Sequence, residues 1–377
     1  MILVSAVAII QHVGSTVCKS WRRSSGRGSI EPMGTDGQRS TRLHLTRPQI
    51  LAQRRRVQAL DERLPRRATS VRQAAWAGLQ DSMPRAALLS IHARVDGTRP
   101  DALADQSLVQ VWGPRFSAYV VAARDVAPFT LGRLPDDGRR RHRAEDTAVR
   151  LHAFLDGREM LDGEVGRGLG IHPNALRYAA PTGTVLIRWD GARAPTVRTV
   201  SAPSVDPFEA RLELARRYMH VFGPTTADAF AGWAGIVPAA GRAAFEALGT
   251  TLTPVRTPVG DGWILADDEP AARDPTGSAA PARLLPSGDT YFLLQGPDRE
   301  LLVPEADRRR LLWTTRVWPG AVLVAGEIVG TWRRAGAVVT VASWRRLSAS
   351  ERKAVEAEAA SLPLPGLRDQ IGVRWSG

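Results

Sequence analysis

The sequence contains very little cysteine and very little lysine. Cys18 is its single cysteine, which excludes a disulfide framework and any zinc site built from several cysteines. Lys19 and Lys353 are its two lysines, so the folded middle of the chain offers no amine for a Schiff base. A single thiol fits a reducing cytoplasm, where disulfides are rare.

Metal, cofactor and membrane signatures are also scarce. The seven histidines lack the paired spacing of metal ligands. The glycines of Gly166–Gly170 follow no strand-like run, as a dinucleotide site would require. The apolar stretch Met1–Ile10 is shorter than the roughly 20 residues of a membrane span. We therefore expect no metal, no cofactor and no membrane association.

Positive charge is abundant and is concentrated near the N-terminus. The 377 residues carry a net charge of +13, and residues 1–72 alone hold 14 Lys and Arg against four Asp and Glu. The length predicts two to four domains, and we expect residues 1–44 to be a disordered basic segment. Such an arm either neutralises phosphates or is a plain solvated tail.

The most informative stretch is Gly223–Ala266. Thr226 is a cap-type residue before an amphipathic segment that Gly235 should end, because glycine adopts positive φ at little cost. A second short helix is predicted over Pro238–Leu248. Two strand-like runs then flank a turn: Leu252–Arg256, Trp263–Leu265 and, between them, Val259–Gly262. This order is typical of a winged helix-turn-helix, and the alternative is an ordinary pair of helices leading into a sheet.

A similar order of helices and hairpin occurs twice upstream. The predicted hairpin strands are Leu108–Trp112 with Ser117–Val121, and Thr184–Trp189 with Thr196–Val200. We therefore predict three tandem winged-helix units, over residues 45–145, 146–203 and 204–267. The third unit begins with a helix over Pro207–Phe222, and the basic run Arg139–Arg143 is interpreted as an exposed loop.

The last part of the chain, residues 282–377, is richer in strand signals. The predicted strands are Tyr291–Leu294, Glu300–Val303, Ala321–Val324, Glu327–Thr331, Val338–Val341 and a short one at Trp344. Ser348 and Glu351 have capping-box spacing before a helix that runs to Ala360. The fold class is therefore α+β, with tandem winged helices followed by a small β-barrel or curled sheet that carries one helix.

Several stretches together resemble the AlkZ-like DNA glycosylases, a family of tandem winged-helix proteins. The stretches are Leu79–Ser82, Leu108–Arg115, Leu212–Trp233, Arg283–Pro304 and Val322–Trp332. The resemblance covers roughly residues 45 to 347. It implies double-stranded DNA as the partner and hydrolysis of the N-glycosidic bond of N7-alkylated purines, with unhooking of crosslinks in some members.

The family's catalytic motif is Gln-x-Gln, or Gln-x-Asp in some branches, and the matching string here is Gln80-Asp81-Ser82. Ser82 departs from that motif. The resemblance implies that Gln80 orients a water molecule, with Ser82 as a weaker acceptor. Asp81 would serve as the carboxylate only if the loop turned it inward, because adjacent residues of an extended segment face opposite ways. The alternative is that Gln80 and Ser82 cap a helix opened by Pro84.

Arginines presented by helices and wings are the candidates for phosphate contacts. They are Arg85, Arg177, Arg188, Arg256 and Arg333. Each of them has the alternative of being a plain surface arginine. Trp112, Trp233 and Trp332 are expected to fill cores and not to stack on bases.

Two main functions stay open from the sequence, and a protein-interaction scaffold without DNA affinity is a less favoured third. The first is a monofunctional DNA glycosylase without lyase activity. The second is a non-catalytic DNA-binding protein, a regulator or damage binder, in which the motif has decayed to Gln-Asp-Ser. In both cases we expect a monomer in the cytoplasm, associated with the nucleoid.

Overall fold

The computed structural model describes residues 42–191, 193–275, 277–367 and 370–376. Of the predicted disordered segment 1–44, residues 1–41 lie outside the described residues. Its last two residues, Leu43 and His44, form strand β1. The α-helices of the described residues are α1 Arg47–Val57, α2 Ala68–Ala74, α3 Ala86–Arg94, α4 Val126–Phe129, α5 Gly138–Leu155, α6 Asp162–Leu169, α7 Pro207–Phe222, α8 Ala227–Ala234, α9 Pro238–Leu248, α10 Glu269–Arg273, α11 Asp298–Leu302, α12 Ala306–Leu312 and α13 Ala349–Ala360. The strands are β1 Leu43–His44, β2 Leu79–Gln80, β3 Leu108–Trp112, β4 Ala118–Ala122, β5 Met160–Leu161, β6 Val185–Arg188, β7 Thr196–Thr199, β8 Leu252–Thr257, β9 Gly260–Leu265, β10 Ala282–Leu285, β11 Gly320–Val324, β12 Glu327–Ala335, β13 Val338–Ser343 and β14 Gly372–Ser376. The mixed α+β class predicted from the sequence is confirmed.

The stretch from α7 to β9 follows the predicted order of elements. Thr226 accepts a hydrogen bond from the Ala229 N–H at the start of α8, and Gly235 ends that helix with φ +74°. Strands β8 and β9 form the hairpin, and β1 adds to β8 in parallel. The predicted turn over Val259–Gly262 is wrong, since β9 already begins at Gly260. Gly262 lies within β9, and glycine is favoured there because a Cβ atom would lie 3.0 Å from Thr225 O.

The first two predicted hairpins share one sheet of six strands. Its order is β2-β4-β3-β6-β7-β5, and the two hairpins join where Gln110 of β3 pairs with Ile187 of β6. All of its strand pairs are antiparallel. The proposed boundary between residues 145 and 146 therefore crosses a continuous sheet, and the tandem winged-helix arrangement stays a prediction.

The basic run Arg139–Arg143 is not a loop. It forms the first turns of α5, whose cap residue Asp137 accepts a hydrogen bond from the Arg140 N–H. The buried positions Ala144, Thr147, Ala148 and Leu151 of α5 follow helical spacing. The charged run resembles a loop in the sequence because its arginines lie on the first, exposed turns of the helix.

The C-terminal strands form an open sheet, and the β-barrel alternative is therefore wrong. The strand order is β10-β11-β12-β13-β14, with β10 and β14 as its two edges. Its pairs are antiparallel except β13–β14, which is parallel. Helix α13 packs against β10 and β14 and begins with the predicted capping box of Ser348 and Glu351. Strand β14 was not predicted.

Two of the predicted C-terminal strands are instead helical. Tyr291–Leu294 overlaps a 3-10 turn over Thr290–Phe292, and Glu300–Val303 overlaps α11. The Asp289 carboxylate caps the 3-10 turn by accepting from the Tyr291 N–H. Every side chain of Tyr291–Leu294 is buried, and a short apolar run does not distinguish a strand from a buried helical turn. The predicted strand at Trp344 is also absent from the described sheet.

Aromatic packing forms the centre of the largest core. The Tyr218 ring lies 4.7 Å from Phe222, 5.4 Å from Phe230 and 5.0 Å from Trp233, measured between centroids. Trp112, Trp233 and Trp332 are all buried, as expected from the sequence. Within the described part of the chain, no helix has both the length and the apolar character needed to cross a membrane.

A buried ion pair joins α3 to the C-terminal part of the chain. The Arg94 guanidinium donates to both carboxylate oxygens of Asp289, each at 2.8 Å. Ser90 also donates to Asp289, at 2.7 Å, and Gln58 accepts from Arg94 at 2.9 Å. Both charges are thus removed from water with their hydrogen-bonding groups engaged, which is the condition for a buried pair to be tolerated.

Breaking this pair should destabilise the protein strongly. We expect Arg94→Met to lower the free energy of unfolding by ~3–5 kcal/mol, because it leaves the Asp289 carboxylate buried without a cation. Urea unfolding followed by circular dichroism measures the loss. The matched control is Arg99→Met, which removes an exposed pair with Asp101 and should cost less than ~1 kcal/mol. Equal losses in the two variants would contradict the assignment.

Candidate functional site

Gln80 lies at the end of β2, a strand of only two residues. Leu79 pairs with Val120 and Gln80 with Tyr119 of β4, and the Asp81 N–H continues the ladder by donating to Ala118 O at 2.7 Å. Burial alternates as in any strand, with Leu79 and Asp81 buried and Gln80 half-buried between them. The side chain of Gln80 therefore points away from that of Asp81.

Two segments distant in sequence enclose the Gln80 amide. Arg115 donates from Nη2 to Gln80 Oε1 at 3.3 Å. On the other side a Cβ atom added at Gly288 would lie 3.0 Å from Gln80 Nε2, and Gly288 has φ +74°. Both the close approach and the positive φ favour glycine at that position. The amide is thus held between the β3–β4 loop and the loop that contains Asp289.

The Asp81 side chain is buried in the protein interior. Its carboxylate is 3 % exposed and accepts from the Ala87 N–H at 3.0 Å and from Gln110 Nε2 at 2.8 Å. Burial raises the pKa of Asp81 to about 6, and these two hydrogen bonds oppose the rise. Asp81 would act beside Gln80 only if the loop turned both side chains to the same side. The two side chains point in opposite directions.

The same contacts correct the alternative that Gln80 and Ser82 cap the following helix. Helix α3 begins at Ala86. The preceding residue, Arg85, has its backbone in the left-handed region, and its side chain does not cap the helix. Asp81 supplies the acceptor for the first turn through its bond to Ala87. Ser82 is half-buried, and its hydroxyl is enclosed without a hydrogen-bond partner. Asp81 lies five residues before the helix, outside the spacing of an ordinary N-cap, and is therefore not recognisable as a cap from the sequence.

Gln110 connects the Asp81 loop to the second hairpin. Its Oε1 accepts from the Trp189 N–H at 2.6 Å, and its Nε2 donates to Trp189 O at 3.0 Å as well as to Asp81. The hairpin tip follows at Gly191, where an added Cβ atom would lie 2.6 Å from Pro84 Cα. The segment after Gln80 is therefore fixed from both sides.

The five candidate arginines have different environments. Arg85 follows the Gln80 segment, whereas Arg188 is exposed on β6. Arg177 is half-buried with its guanidinium 6.0 Å from the Trp112 ring, and burial lowers its pKa. Arg256 forms an ion pair with Asp261, and Arg333 donates to Val317 O. Asp261 also pairs with Arg42, so this exposed carboxylate neutralises the charge of Arg256 only in part.

The structure adds two arginines that the sequence analysis did not single out. Arg115 contacts Gln80 directly. Arg334, near the end of β12, lies close enough to Arg85 for the two charges to interact. Burial lowers the pKa of Arg334, and Arg85 lowers it further. Both neighbours come from segments distant in sequence, and no local pattern marks them.

Comparison with known proteins now decides the family. The family model described as DNA glycosylase AlkZ-like matches residues 73–363 of this chain. The chain belongs to the AlkZ-like DNA glycosylase family. Its fold is similar to that of Streptomyces sahachiroi DNA glycosylase AlkZ, with a TM-score of 0.71 and 19 % identity, over 89 % of this chain and 100 % of that chain. No curated protein matches the sequence.

The raised pKa of Asp81 makes the stability of this AlkZ-like protein depend on pH. The carboxyl titrates near 3.8 when unfolded and near 6 when folded. Between these values the native state binds more protons than the unfolded state, so this contribution to stability falls as pH rises from about 4 to about 6 and is constant above. A shift of about two pKa units corresponds to ~3 kcal/mol.

We therefore expect Asp81→Asn to gain stability relative to the wild type with rising pH. The difference in unfolding free energy, variant minus wild type, should increase by ~2–3 kcal/mol between pH 4 and pH 7. Urea titrations at several pH values measure it. Asp81→Leu, which also cannot titrate, should show the same slope with a different constant offset. A difference independent of pH would refute the raised pKa.

Proposed function

We propose that this AlkZ-like protein is a monofunctional DNA glycosylase that hydrolyses the N-glycosidic bond of N7-alkylated or crosslinked purines in double-stranded DNA. The observation that carries the proposal is the position of Gln80, whose amide is held at a half-buried site between Arg115 and Gly288. We propose further that it acts as a monomer in the cytoplasm, associated with the nucleoid.

Hydrolysis of this N-glycosidic bond needs few catalytic groups from the protein, because the leaving purine is already cationic. An N7-alkylated purine departs without being protonated, so a general acid is not required. What remains is to orient one water molecule and to stabilise an oxocarbenium-like sugar. Gln80 Oε1 is a suitable acceptor for the water. Asp81 and Ser82 turn their polar atoms inward and have no part in this step.

The reaction proposed ends at base release. A lyase step needs an amine nucleophile for a Schiff base. Lys353, the lysine among the described residues, lies on α13 and not in the Gln80 segment. Contacts to the DNA backbone are proposed for Arg85, with Arg334 beside it, and for the exposed Arg188. Arg177 and Arg333 are further candidates, whereas the ion pair with Asp261 weakens the case for Arg256.

The second candidate is a non-catalytic DNA-binding protein, a regulator or damage binder. The specific observation in its favour is the third motif position, where the Ser82 hydroxyl is enclosed without a partner. A motif with two outward side chains would hold the water from two sides, whereas this chain presents Gln80 alone. The scaffold and its arginines are compatible with either function.

Replacing Gln80 separates the two functions. We expect Gln80→Ala to lower the single-turnover rate of N7-methylguanine release by about 10²–10³-fold, because the water loses its orienting acceptor. Affinity for undamaged duplex should stay within about twofold, since Gln80 carries no charge. Released base is measured by chromatography and affinity by fluorescence anisotropy.

The matched control is Gln106→Ala, which truncates an exposed glutamine in the turn before β3 and should leave the release rate unchanged. Salt-dependent binding by the wild type without any base release would favour the non-catalytic protein. Release that survives Gln80→Ala would exclude Gln80 as the water-orienting residue.

A further inference from the structure

The loop between β3 and β4 holds two consecutive residues in a strained conformation. Arg115 has φ +54° and Phe116 has φ +58°, in the left-handed region that non-glycine residues avoid. The surroundings keep this conformation: the Phe116 ring meets Tyr178 edge to face at 5.7 Å. A Cβ atom added at Gly235 would lie 3.0 Å from Arg115 N. Strain of this kind is often found where a loop serves a ligand.

The charge of Arg115 has no acidic partner among the described residues. Its hydrogen bond goes to the neutral amide of Gln80 and is long, at 3.3 Å. Arg133 lies behind it, fully buried, and donates to the backbone carbonyls of Ala234 and Trp112 at 2.8 and 3.0 Å. Burial, and to a smaller extent the nearby charge of Arg115, lowers the pKa of Arg133 to about 9. Two cations therefore meet here without a neutralising carboxylate.

Buried polar groups beside Arg115 add further donors. The Tyr119 hydroxyl and Trp233 Nε1 are buried, at 0 % and 1 % residue exposure. The Tyr119 oxygen is the acceptor that Trp233 Nε1 and Arg115 both face, and Tyr119 also interacts electrostatically with Arg133, which places the four side chains in one cluster. One hydroxyl oxygen is thus shared among several donors, whereas buried donors usually have acceptors of their own. A donor-rich, cationic cluster calls for a ligand that supplies anionic oxygen atoms.

We propose that Arg115 is a phosphodiester-binding switch: a DNA backbone phosphate draws the Arg115 guanidinium away from Gln80 and so frees Gln80 Oε1 to accept the attacking water. Charge-assisted bonds from a guanidinium to a phosphate are stronger than one long bond to an amide. The role of Gln80 in this inference rests on the proposed function, whereas the phosphate contact requires only DNA binding.

The salt dependence of binding tests the phosphate contact without any catalysis. The probe is undamaged duplex DNA with wild type, Arg115→Met and Arg115→Lys, at 50–200 mM NaCl. We expect Arg115→Met to reduce the slope of log K against log[salt] by about 0.9, the value for one phosphate. Its binding defect should accordingly shrink about 3.5-fold across that salt range. Arg115→Lys keeps the charge and should retain the wild-type slope.

The control is Arg273→Met, which removes the same charge from an exposed arginine that Glu269 already neutralises. Its slope should equal that of the wild type. Circular dichroism verifies the fold of each variant. Should Arg115→Met fail to fold, Arg115→Gln measures the same loss of charge. An unchanged slope in a folded, charge-free variant would overturn the phosphate contact.

Single-turnover release of N7-methylguanine tests the switch. Because Arg115→Met leaves Gln80 Oε1 free, its release rate at saturating DNA should stay within about twofold of the wild type, while half-saturation requires more DNA. A rate at saturation as low as that of Gln80→Ala, with unchanged affinity, would overturn the switch and show that Arg115 holds Gln80 during the reaction. If the wild type releases no base, the proposed function fails and the switch with it, while the salt slopes still decide the phosphate contact.

Discussion

The need to pair a buried charge governs the geometry of the site. Arg94 on α3 is 2 % exposed, and a guanidinium at such depth requires a carboxylate and further acceptors. Asp289 provides the carboxylate from a segment 195 residues later. This contact brings the loop 286–292 against β2, with the Thr290 hydroxyl 3.4 Å from Gly78 O. Gly288 reaches the Gln80 amide as a consequence, so one wall of the candidate site is set by an ion pair that takes no part in the chemistry.

Asp81, the middle residue of the Gln80-Asp81-Ser82 motif, has a structural role. The carboxylate caps α3 through the Ala87 N–H and binds Gln110, which in turn holds the second hairpin at Trp189. Burying it as an anion is costly, and its raised pKa expresses that cost. The position therefore stabilises the backbone that carries Gln80, and in the proposed mechanism the Gln80 amide alone orients the water.

Local signals were sufficient wherever a helix boundary depends on its own residues. The helix predicted over Pro207–Phe222 is α7 with the same bounds, because Pro, a capping Asp206 and the following Gly223 are all adjacent in sequence. Tyr291–Leu294 failed for the opposite reason: burial by distant segments made a helical turn look like a strand. The candidate site shows the same difference between local and long-range features. Gln80 was found from its motif, whereas its contacts with Arg115, 35 residues away, and with Gly288 exist only in the folded chain.

A single outward amide is compatible with catalysis only because of the substrate proposed for it. A neutral purine would need a proton donor with a suitable pKa near the leaving base. Asp81, whose pKa is about 6, is turned into the core and cannot reach such a base. A cationic N7-alkylated purine removes that requirement, which leaves water orientation as the task for side chains. The cationic environment of Gln80 fits the proposed phosphate contact: Arg115 is half-buried and Arg133 is buried behind it, so a DNA phosphate bound by Arg115 would supply the negative charge that the described side chains lack there.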